Sequence, residues 1–200
     1  MSSKKKVGGK TKASFLALIP KETNPISFDR YRPISLCNSS YKIITKIMAN
    51  RIKRILLSII SENQGCFVPR RQITDNVIIF QEAIHSSIQR KKKGMVIKLD
   101  MANVFDKVDH KFFVVVLQKF DIFSKFINII MTCITKPWMA PLINGRPSNF
   151  FQSSRGLRQG CPLSPFLYII MAESLSAHLE NQRENIKNNG HPDLKRSQRD

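Results

Sequence analysis

The stretch that decides the fold is VIKLDMANVFDKVD, residues 96–109. It places three of the chain's eight aspartates, Asp100, Asp106 and Asp109, within ten residues. Polarity alternates from Met95 onward, which predicts a strand that carries Asp100 at its end. A carboxylate there suits Mg²⁺, which commonly binds one or two carboxylates together with substrate phosphates. Helix capping or pairing with nearby lysines is a common role for such aspartates. The residues alone therefore leave both interpretations open.

The chain as a whole is strongly basic. Its 200 residues include 33 Lys and Arg against 14 Asp and Glu, a net charge of +19. The excess runs along the whole chain, which favours a nucleic-acid partner, because Lys and Arg displace counterions from phosphates. A generally basic protein of the ribosomal kind is the alternative. The hydrophobic content of 42% is enough for the core of one domain and excludes a wholly disordered chain.

Neither a membrane span nor a secretory signal is expected. No apolar run approaches the length of a membrane-spanning helix, and the basic start lacks the apolar core and cleavage site of a signal peptide. We therefore expect an intracellular protein, in the nucleus or the cytoplasm, that has no membrane partner. The four cysteines are widely spaced and form no zinc pattern, so reduced thiols are expected; they are Cys37, Cys66, Cys133 and Cys161.

The pattern of the chain predicts an α+β fold in three parts. Residues 1–14 are expected to be a flexible basic arm, residues 15–180 a folded domain, and residues 181–200 a disordered polar tail. The segment FLALI (15–19) is typical of a strand, a turn-rich connector follows over residues 21–33, and Asn144-Gly145 predicts a hairpin. Helical spacing of apolar residues predicts the helices Tyr41–Ile60, from Thr74 or Asp75 to the basic run before Gly94, His110–Phe120, Ser124–Thr135 and from Ser164 to about Leu179.

A second stretch, RGLRQGCPLSP (155–165), has the composition of a rigid loop. Two glycines allow the backbone to approach a substrate closely, and two arginines precede a helix that Ser164 can cap. This combination is compatible with phosphate binding at the helix N-terminus. An ordinary capped turn explains the same residues.

Several longer motifs, taken in order, resemble the reverse transcriptase domain of non-LTR (LINE-type) retrotransposons, particularly the plant type. FLALIPK (15–21) and YRPISLCNSSYKIITKIMANRIK (31–53) resemble the opening fingers motif, and QGCFVPRRQITDNV (64–77) resembles the next one. IKLDMANVFDKVDH (97–110) resembles the first palm motif, and residues 142–176 resemble the palm motif that touches template and nucleotide. The resemblance implies an incomplete right-hand polymerase, fingers plus a partial palm, mostly helical with a few antiparallel strands.

The resemblance implies a role for particular residues. Asp100 would be the catalytic ligand of Mg²⁺, with the Met101 carbonyl beside the nucleotide. Phe105 would lie beneath the sugar and exclude a 2′-hydroxyl, although packing in an aromatic core is the alternative for this side chain. The expected partners are an RNA template, a DNA primer and a dNTP.

Four further residues would complete the nucleotide-binding set. Gln159 and Gly160 would line the nucleotide pocket, and Arg32 and Arg71 would direct positive charge toward the triphosphate or the template. In so basic a protein, an ordinary surface role for the two arginines is nearly as common.

The sequence also departs from the family. It contains no two adjacent aspartates, so it resembles a domain truncated before the Ala-Asp-Asp motif that supplies the other catalytic carboxylates. We therefore expect the chain to be inactive as a polymerase on its own, and to expose a sheet edge and apolar helix faces. The family usually has Gly at Arg70, Lys-Ala at Asn103-Val104 and an aromatic such as Trp at His110. A non-catalytic nucleic-acid-binding protein and a relative of group II intron maturases are the alternatives.

Overall fold

The computed structural model describes residues 12–91, 94–99 and 103–189. Within these ranges two strands precede five consecutive α-helices, and three further strands precede the last helix, in an α+β arrangement. The helices are α1 (Ser39–Ile59), α2 (Ile73–Gln89), α3 (Val104–Lys107), α4 (His110–Lys119), α5 (Ser124–Ile134) and α6 (Ser164–Asn189). The strands are β1 (Ser14–Pro20), β2 (Tyr31–Cys37), β3 (Trp138–Ile143), β4 (Arg146–Pro147) and β5 (Phe151–Gln152).

The strands form one small mixed sheet centred on β1 and β3. β1 pairs antiparallel with β2, β3 pairs antiparallel with β4 and β5, and β1 pairs parallel with β3, with Ser14 opposite Met139. The expected antiparallel pairs are present, and the parallel β1–β3 pair, which was not expected, is added to them. Parallel pairing needs a long connection between the two strands, and α1 to α5 lie in that connection.

Strand β2 corrects the predicted connector, because residues 31–33 belong to the strand. Pro33 lies opposite Leu18 of β1. A proline has no N–H to donate and is tolerated where a strand has one open side, and among the described strands β2 is at the edge of the sheet.

The hydrophobic core lies where α1, α4, α5 and α6 meet. Helix α1 begins as predicted to within two residues, and the Asn38 side chain caps it by accepting a 2.9 Å hydrogen bond from the Ser40 amide. Burial bears out the predicted apolar spacing in part, because Ile47 and Ile55 of α1 and Leu175 and Leu179 of α6 are exposed. The fully buried side chains include Tyr41, Ile52, Leu56, Phe113, Leu117, Ile130, Leu163, Leu167 and Ile170.

The predicted strand before Asp100 is not present. Residues 94–99 have no regular structure, and Met95, Val96, Ile97 and Leu99 are all exposed. Alternating polarity fixes which side chains share a face, but a strand also needs a hydrogen-bonded neighbour. None of the strands in the described part of the chain pairs with this segment.

Helix α2 forms as predicted but packs poorly against the rest of the described residues. It has no buried residue, and its apolar face, Val77, Phe80, Ile84 and Ile88, is exposed. We call these four side chains the α2 apolar face. Contiguous exposed apolar surface of this kind is typical of an interface or of an aggregation-prone surface.

One hairpin forms as predicted, and helix α6 is longer than predicted. Asn144 and Gly145 both have positive φ and connect β3 to β4, so the predicted hairpin is confirmed. Helix α6 continues to Asn189, about ten residues beyond the expected end near Leu179. Residues 1–11, within the expected arm, and residues 190–200 of the expected tail lie outside the described ranges. Over the described ranges, no helix combines the length and apolarity that crossing a bilayer requires.

Candidate functional site

The site is organised by residues Arg155–Gly160, which we call the glycine loop. Two backbone hydrogen bonds fix its first half to the segment that contains α3. The Gly156 amide donates to the Val108 carbonyl at 2.9 Å, and the Leu157 amide donates to the Phe105 carbonyl at 2.6 Å. The two palm-like motifs recognised in the sequence are therefore joined directly through their backbones.

Close approach explains why a glycine stands at position 156. Its φ is +90°, and a Cβ there would lie 2.9 Å from the Asp106 carbonyl oxygen and 3.0 Å from that of Phe105. Both the backbone angle and the available space exclude a larger residue without a shift of the loop.

The second half of the glycine loop is fixed to strand β2. The Ser35 amide donates a 2.7 Å hydrogen bond to the Gln159 carbonyl. Gly160 has a φ of +91°, and a Cβ there would come within 3.0 Å of the Ser35 carbonyl oxygen. The loop thus bridges two parts of the chain, strand β2 and the segment around α3.

A buried histidine provides a further link. The Nε2 atom of His110, at the start of α4, lies 2.9 Å from the Gly156 carbonyl oxygen. A carbonyl can only accept, so Nε2 carries the proton and donates. An aromatic ring with one N–H is retained where the family usually has tryptophan, which is consistent with a shared role at this position.

The glycine loop forms one wall of a cavity of about 500 Å³. Strands β1, β2 and β3 contribute the facing walls, and Asp106, Ser153, Ser154, Arg155 and Gln159 supply polar groups. A cavity of this size with a few polar groups is typical of small-molecule sites. Gln159 lines this cavity, and its predicted role in holding a nucleotide stays a prediction.

Asp106 is among the residues that line this cavity. Desolvation by its surroundings raises the pKa of the carboxyl above its ordinary value, and the charge of Lys21 partly opposes that shift. A partly desolvated carboxylate has lost some of its hydration. It therefore interacts more strongly with a cationic or hydrogen-bond-donating ligand than a fully hydrated carboxylate does. The sequence had indicated only a supporting or capping role for Asp106.

The ring of Phe105 does not line the cavity. It is half-buried and lies against Tyr168 of α6, with the ring centroids 5.2 Å apart at an interplanar angle of 31°. This is the aromatic packing that was the alternative to the sugar contact. Only the Phe105 backbone, through its carbonyl, takes part in holding the glycine loop.

The two predicted arginines differ in their surroundings. Arg32 is exposed on β2, next to Pro33, which lines the cavity. Arg71 is half-buried and donates to the carbonyls at the end of α1, at 2.9 Å to Gln64 and 3.2 Å to Ile60, and also to Ser61. In this structure Arg71 stabilises a helix end, whereas Arg32 is free to meet a ligand.

Asp100 and Met101 lie outside the described residues, so their predicted roles stay predictions. Among the residues that are described, no three His, Cys, Asp or Glu side chains gather as a metal-binding group. Among the described residues that line the cavity, Asp106 is the only Asp or Glu. One carboxylate does not make a two-metal centre, so these residues alone do not fit one.

The burial of Arg158 could not be predicted from the residues around it in the sequence. Arg155 and Arg158 stand three residues apart in the same loop, yet Arg155 is exposed and Arg158 is only 7% exposed. The two arginines differ in their hydrogen-bond partners. Those of Arg158 come from distant parts of the chain, so the neighbouring sequence does not show them.

Comparison with known proteins identifies the family. The family model described as reverse transcriptase (RNA-dependent DNA polymerase) matches residues 19–190. The chain is 32% identical over 158 residues to the transposon TX1 uncharacterized 149 kDa protein of Xenopus laevis, covering 79% of this chain and 12% of that protein. It is 26% identical over 163 residues to the Pol polyprotein of the type-1 retrotransposable element R2 of Nasonia vitripennis, covering 81% and 16%.

The protein therefore belongs to the reverse transcriptase family. Its relatives are proteins of non-LTR retrotransposons, and it corresponds to a stretch of their polymerase domain, which confirms the resemblance found in the sequence. The chain spans less than a fifth of the length of these two relatives. Members of the family bind a nucleic-acid template and primer, and the family implies a divalent metal.

Proposed function

We propose that this chain is the part of an RNA-directed DNA polymerase that holds the RNA template, the DNA primer and the incoming dNTP. The observation that carries the proposal is the glycine loop, fixed at one end to the segment around α3 and at the other to β2, with a cavity of about 500 Å³ between them. A fingers-and-partial-palm arrangement is part of the proposal.

The polar groups of the cavity suit a nucleotide. Gln159 and the backbone around Gly156 offer hydrogen-bonding groups at one wall, and Arg155 and the exposed Arg32 lie where they can neutralise phosphate charge. Recognition of this kind positions the substrate, and positioning with charge neutralisation supplies most of phosphoryl-transfer catalysis. Phe105 remains our proposal for the sugar contact, which would need its ring to leave Tyr168.

The metal is proposed to be Mg²⁺, because it favours carboxylate and phosphate oxygens. Asp100 is the ligand we propose this chain to contribute. The sequence has no adjacent pair of aspartates, and a single carboxylate cannot hold two metal ions. The chain by itself should therefore bind template, primer and nucleotide without extending the primer.

The test is an anisotropy titration of the 200-residue chain against a fluorescent DNA primer annealed to an RNA template. In buffer with Mg²⁺, the dNTP complementary to the next template base should tighten the complex, and a mismatched dNTP should not. Gln159→Ala should remove this response. Gln89→Ala, an exposed glutamine at the end of α2, is the control and should leave it unchanged.

The same preparation tests the catalytic expectation. Mg²⁺-dependent incorporation of dNTP that Asp100→Ala abolishes would show that the isolated chain is an active polymerase, contrary to the proposal. If matched and mismatched dNTP had the same effect, the chain would not bind the incoming nucleotide as proposed.

The second candidate is a non-catalytic basic protein that binds RNA or DNA. It is favoured by the net charge of +19 and by the few ion pairs that neutralise basic side chains in the described ranges. Binding that falls with salt, with no dependence on Mg²⁺, on dNTP or on Asp100, would support this candidate. Both candidates predict salt-dependent binding, so the dNTP response decides between them.

The plant-type origin is also a proposal. A 43-residue stretch is 49% identical to an uncharacterized mitochondrial protein of Arabidopsis thaliana. Genomic sequence surrounding the gene, compared with plant and animal retrotransposons over a full polymerase domain, would test it.

A further inference from the structure

Arg158, in the middle of the glycine loop, is a buried cation in a protein that already carries a large positive charge. Its side chain is 7% exposed, and it makes no ion pair with a carboxylate of the described residues. Burial of an unpaired guanidinium is costly unless its donors are satisfied. The position therefore needs an explanation beyond general basicity.

Two carbonyls and one aromatic ring offset the free-energy cost of burying the Arg158 guanidinium. Two separate nitrogens of the guanidinium donate to the Lys12 carbonyl at 3.0 Å and to the Cys133 carbonyl at 2.9 Å. The guanidinium carbon lies 3.9 Å from the centroid of the Tyr41 ring, a cation–π distance. Tyr41 also donates its hydroxyl to the Cys133 carbonyl at 3.1 Å, so that carbonyl accepts two hydrogen bonds.

These partners come from three separate elements. Lys12 precedes β1, Tyr41 is in the first turn of α1, and Cys133 is in the last turn of α5. The carbonyls of a last turn have no partner within their helix and carry the negative end of its dipole, which favours a cation there. Arg158 therefore attaches the glycine loop to the rigid core at a point where three elements meet.

Arg158 and its neighbour Gln159 both line the cavity. The donors of Arg158 are directed to the Lys12 and Cys133 carbonyls, whereas the Gln159 carbonyl accepts a hydrogen bond from the Ser35 amide. We propose that Arg158 is a positioning residue, whose guanidinium anchor holds Gln159 and Gly160 at the cavity wall in the geometry that receives a nucleotide. This inference rests on the proposed function. Arg158 acts through its neighbours, and we assign it no contact with the reacting atoms.

The chemistry of the side chain makes the inference specific. A lysine would keep the positive charge, but its single nitrogen cannot donate in the same fixed geometry to two carbonyls while lying flat on a ring. A role that depended only on charge or on filling space would tolerate lysine or methionine. A role that depends on the planar fork requires arginine.

The experiment uses the full 200-residue chain with Arg158→Ala and Arg158→Lys. Arg54→Lys, at an exposed arginine of α1, is the matched control. Three quantities are measured: hydrogen exchange at the Ser35 amide, affinity for the primed RNA template, and the tightening caused by the complementary dNTP. Each is repeated with millimolar methylguanidinium, and with methylammonium as a cation that lacks the planar fork.

Both Arg158 variants should bind the primed template with about the wild-type affinity, because contacts with the phosphates dominate this affinity. The dNTP response should fall by about tenfold, the size expected when one hydrogen bond to a charged group is lost. Exchange at Ser35 should become faster. Methylguanidinium should restore both properties in Arg158→Ala, and methylammonium should not, whereas a merely structural loss would not respond to the shape of the added cation.

Two results would overturn the inference. One is an Arg158→Lys variant with wild-type dNTP response and Ser35 exchange, which decides the matter even where the alanine variant does not fold. The other is a folded Arg158→Ala variant that methylguanidinium leaves unchanged. A wild-type chain without any dNTP response would refute the proposed function instead, and Ser35 exchange with rescue would still decide whether Arg158 positions the loop.

Discussion

The Leu157 amide donates a 2.6 Å hydrogen bond to the Phe105 carbonyl, which joins the glycine loop to the segment that follows Asp100. This bond and its neighbour at Gly156 make the relative position of the two motifs a property of the backbone. Side-chain changes should therefore alter what the cavity binds, while backbone changes should alter whether the cavity exists.

The first prediction concerns Gly156→Ala. The new Cβ would lie 2.9 Å from the Asp106 carbonyl oxygen at a φ of +90°, so strain and overlap should together lower the free energy of unfolding by about 3 kcal/mol. Gly145→Ala is the control, because Gly145 also has a positive φ, of +76°, but open space around it. That variant should lose only about 1 kcal/mol. Urea denaturation measures both, and equal losses would contradict the overlap.

A second prediction follows from Arg70, where the family usually has glycine. Arg70 has a φ of +65°, in the left-handed region that a side chain disfavours. Arg70→Gly should remove that strain and exceed Arg70→Ala in stability by about 1 kcal/mol. The alanine variant is the control, since it also deletes the side chain but keeps the Cβ. Thermal unfolding compares the two, and an alanine variant as stable as the glycine variant would contradict the argument.

A third prediction tests whether Arg71 stabilises the fold or binds a ligand. Arg71 donates to three carbonyls at the end of α1, so Arg71→Ala should lower the free energy of unfolding by about 2 kcal/mol. Arg54→Ala, at an exposed arginine on α1 itself, should change stability little. Chemical denaturation tests the pair. A stable Arg71→Ala protein with weakened nucleotide binding would show that the ligand role dominates.

The fourth prediction is a pH dependence at Asp109. Its side chain caps α4 by accepting from the Phe112 amide at 2.8 Å, and this hydrogen bond is the main reason that the pKa of Asp109 is lowered from its ordinary value of 3.8. Because the folded pKa is the lower one, the carboxylate contributes stability above the unfolded pKa and loses it as the pH falls through the folded pKa.

The matched variants are Asp109→Asn, which keeps a capping oxygen without charge, and Asp109→Ala, which keeps neither. At neutral pH the alanine variant should have the lowest melting temperature. The difference between wild type and Asp109→Asn should shrink from about pH 5 to about pH 3, as the carboxyl protonates. A difference that is constant over this range would show that the charge is not involved.

The fifth prediction concerns the α2 apolar face. These four side chains are exposed, so replacing Val77 and Ile84 by glutamate should raise solubility and lower the binding of an apolar dye, with little change in melting temperature. Ile52→Glu, a fully buried position in α1, is the control and should prevent folding. A large loss of stability in the α2 variant would show that the face is covered in solution.

Local features of the fold were predictable because local chemistry fixes them. The Asn144-Gly145 hairpin follows from two residues that tolerate positive φ, and α1, α4 and α5 follow from apolar spacing. Strand β2 was missed because Pro33 disfavours a strand except at an edge, and edge position depends on the whole sheet. The strand before Asp100 was predicted wrongly because alternation cannot supply a neighbouring strand.

Only part of the site was predictable, because of the five predicted residues that the structure describes, Gln159 lines the cavity and Phe105, Gly160, Arg32 and Arg71 do not. Motif resemblance placed Gln159 at the pocket, since the order of motifs reflects the family. It could not show that Arg71 supports a helix end, that Phe105 lies on Tyr168, or that Arg158 is buried. Each of these depends on partners far away in the sequence, the most distant being the Lys12 carbonyl, 146 residues from Arg158.

The pairing of β1 with β3 has a consequence for how the protein is made. Residues 14–16 are translated before their partners Met139 to Pro141, which emerge more than a hundred residues later. At ordinary synthesis rates the interval is on the order of ten seconds. During that time the apolar strand FLALI can pair with β2 but has one open edge, so nascent chains are vulnerable to association with each other. A chaperone that shields this first strand on the ribosome should raise the yield of folded protein more than any change at the cavity.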